Sequence, residues 1–224
     1  MPVLDNGVAA REVRVDFYLD VICPWCWIGL RNLRAALDTF AAQQAGAPVV
    51  VTAHASTLIT HIPPEGVPYQ AFYENRLGGA EAVAARRAQV RAAAAAVGIQ
   101  INYPAIETFP NTQLACALVN AAQSQLSPTA MFDFMESVFA AYFVQGKNIG
   151  LADTLQQLAR GAGVAWAAHD AATASPHDAA PSGVPYYVFN DRWSLTGAVP
   201  SHQLVQGLEY ALSQSDGAHQ GTPA

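Results

Sequence analysis

The 224-residue chain is 52% hydrophobic and only 12% charged, with a formal net charge of −6. That balance suits one large domain or two small ones around a real hydrophobic core and excludes a disordered chain. Residues 1–91 hold eight basic and eight acidic side chains, the remainder three basic and nine acidic. No basic cluster is large enough for nucleic acid, and Arg86, Arg87 and Arg91 read as a solvated helix face. No run approaches the ~20 apolar residues of a membrane span. Met1 to Arg14 lacks the apolar core of a secretory signal and carries Asp5 and Glu12, which predicts a cytoplasmic protein. Three cysteines are too few, and too odd in number, for a disulfide framework.

In chain order, residues 1–12 read as a loose arm. Val13, Val15, Phe17 and Leu19 then alternate with Arg14, Asp16, Tyr18 and Asp20, a strand with one apolar face. After Cys23-Pro24-Trp25-Cys26, the spacing of Trp27, Leu30, Leu33, Leu37 and Phe40 predicts a helix to about Gln44, with Gly46 as terminator. The β-branched run in Pro48 to His54 fits a strand buried on both faces, as in a parallel sheet. Thr60 to Pro68, with three prolines and a glycine, is a loop. From about Tyr69 to His169 the pattern is helical almost throughout: Tyr69–Arg76, Glu81–Val97 closed by Gly98, a helix capped by Asn111 through about Ser124, one opened by Pro128, and one marked by Leu151, Leu155 and Leu158. Residues 170–182 read as a flexible connection. Tyr186 to Phe189 and Trp193 to Thr196 form a hairpin about Asn190-Asp191. Ser201 to about Leu212 is the last helix, and the tail from Ser213 frays.

The two cysteines fall at a strand-to-helix turn. There Cys23 meets unpaired backbone N–H groups and the positive end of the helix dipole, both of which favour its thiolate, the reactive form. Cys26 follows one turn later, close enough to close a disulfide. Cys23 would attack a substrate disulfide, and Cys26 would resolve the mixed disulfide. Pro24 sits where a helix tolerates proline. Trp25 adds apolar surface but no imidazole, so the ionisation of Cys23 is expected to be dominated by the helix terminus. A zinc site is the alternative, but Cys116 and the scattered histidines offer no second CxxC or CxH spacing, so no metal is expected. Cys116, Trp27, Met131 and Met135 read as core, and His54, His61 and His202 have no evident partner.

The order β-α-β, helical insert, β-β-α, together with Cys23-Pro24-Trp25-Cys26 and Gly183-Val184-Pro185, resembles the thioredoxin-fold oxidoreductases of the DsbA family, in particular their FrnE-like branch. Further matching residues are Asp20 to Gly29, Pro63-Pro64-Glu65-Gly66, Phe109-Pro110-Asn111-Thr112 and Gly183 to Phe189 followed by Ser194 to Ala198. The resemblance implies an α/β thioredoxin-like fold, discontinuous over 13–62 and 180–213, with an all-helical insertion over 67–172 and loose termini at 1–12 and 214–224. It implies a protein disulfide oxidoreductase or isomerase without a cofactor, acting on protein, peptide or small thiols, with glutathione as a possible co-substrate. It also implies a cis peptide at Val184-Pro185, whose backbone would pair with an extended substrate. Departures from the family pattern are Cys116 where histidine is common, a short 170–182 approach to the proline, and an unusual His54 to His61 segment.

Two other readings stay open. One is a glutathione-dependent isomerase or transferase of the kappa or hydroxychromene-carboxylate isomerase type, against which Cys26 argues. The other is a non-catalytic or zinc-binding thioredoxin-like module. The oligomeric state is not legible in the sequence.

Overall fold

The structure, a computed structural model, describes residues 12–44, 46–168 and 183–217. The expected connection 170–182 lies outside them, as do residues 1–11 and 218–224 of the expected loose termini. Strand β1 (Val13–Leu19) buries every second side chain, as its alternation requires. A turn closed by the Cys23 N–H on the Asp20 carbonyl, 3.0 Å, leads into α1 (Pro24–Gln43). Strand β2 (Val49–Ala55) returns parallel to β1.

Between β2 and β5 (Tyr186–Phe189) come α2 (Tyr69–Leu77), α3 (Ala80–Ala96), α4 (Gln113–Ala122), α5 (Pro128–Phe143) and α6 (Ala152–Gly161). This insert is not all helical. β3 (Val67–Pro68) pairs antiparallel with β4 (Thr108–Phe109), where a plain loop was expected. Two residues per strand leave no alternation to read. Gly66, at φ +83°, permits the pairing, because a Cβ there would lie 2.8 Å from the Phe109 carbonyl oxygen. Strand β6 (Trp193–Thr196) and α7 (Ser201–Gly217) complete the chain, α7 running past the expected end near Leu212. Asn190 and Asp191 both have positive φ, as the expected hairpin turn demands.

The central sheet has the order β2-β1-β5-β6. β2 is therefore an edge strand rather than one buried on both faces, and Val50 is 45% exposed. Its open edge is covered by side chains at the C-terminal end of α4, Asn120 within it and Gln123 capping it. Gln123 accepts from Ala53 N and donates to Ala53 O, both at 2.7 Å, and Asn120 does the same with Ala55, both at 2.9 Å. Two amide side chains thus stand in for a fifth strand and satisfy groups that would otherwise invite aggregation.

Helix α1 packs on α7 and reaches the insert through α5. Arg31 donates to Glu136 through Nε at 2.8 Å and Nη2 at 3.0 Å, and Trp27 Nε1 donates to the same carboxylate at 2.7 Å. Trp27 is buried and stacked on Phe139 and Phe143, and Met131 and Met135 are core, as expected.

Gly29 sits where α1 crosses the Val184-Pro185 peptide. An added Cβ would collide with Tyr187 Oη and lie 3.2 Å from Pro185 Cγ. Gly29→Ala should therefore destabilise the fold by up to about 2 kcal/mol, the overpacking cost outweighing the ~1 kcal/mol that alanine ordinarily gains in a helix. Urea-denaturation midpoints of the two proteins check the sign; a stabilised variant would show that the contact yields freely.

Candidate active site

Cys23 is the N-cap of α1, with extended backbone at φ −88° and ψ 111°, and Pro24 occupies the first helical turn. Its carbonyl accepts from Cys26 N at 3.0 Å, so the two cysteines flank one helical turn. Cys23 is partly exposed and Cys26 is fully buried; both are free thiols. The Val184-Pro185 peptide is cis, and the Val184 carbonyl oxygen lies 4.0 Å from Cys23 Sγ. Cys23, Cys26, Pro24, Trp25, Val184 and Pro185 therefore meet at one place.

The two sulfurs ionise in opposite directions. The Cys23 thiol is pulled below its ordinary range, chiefly by a hydrogen bond from Cys26, against the cost of burial; the Cys26 and Trp25 backbone N–H groups assist, and the Asp20 charge opposes. The neighbouring thiol thus acts beside the helix terminus in favouring the Cys23 thiolate. Burial, followed by the Cys23 sulfur itself, pushes the Cys26 thiol well up. One sulfur is thus prepared as an anion and the other as its proton-bearing partner.

Asp20, fully buried, gathers the surrounding chain. Its carboxylate accepts from Leu58 N at 2.8 Å, Ile22 N at 3.3 Å, Thr112 Oγ1 at 3.3 Å and Cys116 Sγ at 3.8 Å. Cys116 is buried, as expected, but it is a hydrogen-bonding thiol as well as packing. Burial pushes the Asp20 carboxyl up to about 6 despite these donors. His54, expected without a partner, faces Asp16 with Nε2 and Oδ1 2.6 Å apart and stacks on Tyr18. The pair sits on adjacent strands, where parallel register was the only available signal.

In front of Cys23 lies a cavity of about 240 Å³, walled by Trp25, Tyr73 and Phe109 and by one face of α3. That face carries Val83, Arg86, Arg87 and Val90. Arg86 and Arg87 therefore line the same cavity as Cys23 as well as facing solvent. The signal was present: positions 83, 86, 87 and 90 share one side of a helix, and the two valines are core. Among the described residues, no group of three or more His, Cys, Asp or Glu side chains could hold a metal ion. No helix among them is long and apolar enough to cross a membrane.

The DSBA-like thioredoxin domain model matches residues 14–209. The chain belongs to that family. The family is one of disulfide oxidoreductases and isomerases, and its substrates are thiols and disulfides. A probable DsbA oxidoreductase from Streptomyces coelicolor superposes with a TM-score of 0.72 at 22% identity, over 95% of this chain and 92% of that one. The cytosolic disulfide reductase DsbM from Pseudomonas aeruginosa, with GSH, superposes with a TM-score of 0.53 at 15% identity, over 92% and 98%. No curated protein matches the sequence significantly.

The buried carboxyl gives this DsbA-like protein a definite pH signature. An acid whose folded pKa is raised contributes stability that is fully present below its unfolded value of 3.8 and is lost as pH rises through about 6. In the oxidised protein, where Cys23 and Cys26 do not titrate, the loss from this group should total about 3 kcal/mol between about pH 4 and about pH 7. Asp20→Asn should flatten that part of the stability curve, read from urea midpoints at several pH values. Parallel curves for the two proteins would mean that Asp20 does not titrate there.

Proposed function

We propose that this protein is a thiol–disulfide oxidoreductase of the FrnE-like kind, with Cys23 as the attacking sulfur and Cys26 as the resolving one. The observation that carries the reading is the asymmetry of the pair: Cys23 is partly exposed with a lowered pKa, and Cys26 is buried with a raised one. In the reducing direction the Cys23 thiolate attacks one sulfur of a substrate disulfide, that S–S bond breaks, and one thiolate leaves. Cys26 then loses its proton and attacks Cys23 Sγ, releasing the second thiolate and leaving the protein as its disulfide. Both electrons pass to the substrate, and the reverse sequence oxidises a dithiol.

Pro24 and Trp25 shape the turn that separates the sulfurs. Val184, with its carbonyl beside Cys23, and Pro185 would align an extended substrate segment as an added strand. The substrates would be protein, peptide or small thiols, met in the cytoplasm, with glutathione as co-substrate and no bound cofactor. Residues 67–172 would form an insertion subdomain that roofs the site.

Cys26→Ala should accumulate a mixed disulfide on Cys23, because the resolving sulfur is gone, while Cys23→Ala should accumulate almost none. Non-reducing gels after incubation with a disulfide-bonded peptide read the difference, and equal adduct on both variants would remove these roles. The same Cys26→Ala protein should show a higher Cys23 pKa than the reduced wild type, since the largest stabilising hydrogen bond is lost. Ultraviolet thiolate absorbance followed against pH checks this, and an unchanged titration would leave the lowering to the backbone N–H groups of the helix terminus.

A further inference from the structure

Arg76, Arg86 and Arg87 line the cavity in front of Cys23, and no acidic residue does. Among the described residues none of the three has a carboxylate within ion-pairing distance. Arg86 and Arg87 are held in other ways. The Arg86 guanidinium lies 5.4 Å over the Trp25 ring, and Arg87 lies 5.1 Å over both Tyr69 and Tyr103. Arg86 also donates to Gln89 at 2.7 Å, and Arg87 to Gln70 at 2.8 Å. Stacking fixes a guanidinium plane while leaving N–H donors on its edge, and each group has five.

A chain of net charge −6 has acidic side chains enough to neutralise these cations. It places none in the cavity. Arg86 and Arg87 are engaged on aromatic rings, and Arg76 is an exposed residue of the cavity lining, so their remaining donors are open to something that enters from solvent. The volume, about 240 Å³, falls at or just below the ~300–1,000 Å³ range of small-molecule sites. Neither Val184 nor Pro185 lines it, so an occupant would lie on the insert side of Cys23, away from the backbone edge suited to an extended peptide.

We propose that this cavity binds a low-molecular-weight disulfide bearing carboxylates, with Arg76 and Arg86 pairing those carboxylates while the ligand sulfur meets Cys23. The inference rests on the reading of Cys23 as the attacking sulfur. The Cys23 thiolate forms a bond to one ligand sulfur, the ligand S–S bond breaks, and half of the ligand leaves as a carboxylate-bearing thiolate. The other half stays in the cavity as a mixed disulfide until Cys26, giving up its proton, displaces it. The protein dithiol is oxidised, and the ligand disulfide is reduced to two thiols.

The test measures oxidation rates of the reduced protein by oxidised glutathione, which is anionic, and by bis(2-hydroxyethyl) disulfide, which is neutral. The wild type should favour the anionic disulfide. The Arg76→Gln/Arg86→Gln double variant should lower the ratio of the two rate constants about tenfold or more, the scale of losing charge-assisted hydrogen bonds. Arg91→Gln, which removes a charge from α3 outside the cavity lining, should lower it far less. A ratio unchanged in the double variant, lowered equally by Arg91→Gln, or showing no anionic preference in the wild type overturns the inference while leaving the role of Cys23 intact. Failure of the wild type to react with either disulfide overturns that role and the inference together. Both target arginines are exposed, and the Arg76→Gln single variant gives the same reading should the double variant fold poorly.

Discussion

The buried carboxylate of Asp20 is the point on which the site depends. Three stretches of chain converge there: the turn from β1 into α1, the segment after β2 through Leu58, and the start of α4 through Thr112 and Cys116. An apolar residue at position 20 would leave the buried Ile22 N–H without an acceptor, at a cost of roughly 1–3 kcal/mol, and would release the part-buried Leu58 N–H as well. A carboxylate satisfies them but resists burial, which is why its proton is held to about pH 6. The compromise fixes the entrance of α1 against the insert, and with it the position of Cys23. It also binds Cys116 into the same cluster.

The division of labour between the two sulfurs follows from geometry more than from either residue alone. Both sit at the same helix end, yet Cys23 is reached by the Cys26 and Trp25 backbone N–H groups and by the Cys26 thiol, and only Cys23 of the two keeps a path to solvent. Burial that would raise the pKa of either sulfur is outweighed at Cys23, whereas at Cys26 it is reinforced by the neighbouring sulfur and only partly countered by an Asp20 backbone hydrogen bond. Gly29, one turn beyond Cys26, leaves the space through which Tyr187 and Pro185 approach the helix, so sheet, helix and prolyl loop close around the pair.

What the sequence revealed depended on how local the determining interaction was. The alternation in β1, the cysteine turn and the positive-φ turn at Asn190-Asp191 are written in adjacent residues, and they were legible. The edge position of β2 was not. Its β-branched run looks like a strand buried on both faces, and the amides that cover its edge, Asn120 and Gln123, lie ~70 residues away on another element. The β3–β4 pairing is likewise non-local and too short to show a period. Arg86 and Arg87 fall between these cases. Their helix and its core valines were readable, but nothing in the sequence said that the same face would meet Cys23.

The direction in which such a pair runs is set by what stabilises its reduced form, and here two influences oppose each other. The hydrogen bond from the Cys26 thiol to the Cys23 thiolate exists only in the dithiol state, because the disulfide has neither a thiolate nor an S–H. It therefore favours the reduced protein and makes the disulfide the better oxidant. The Asp20 charge acts the other way, raising the ionisation cost of both sulfurs. That opposition grows as Asp20 loses its proton, so the carboxyl that anchors the turn also makes the balance between oxidised and reduced protein depend on pH around 6.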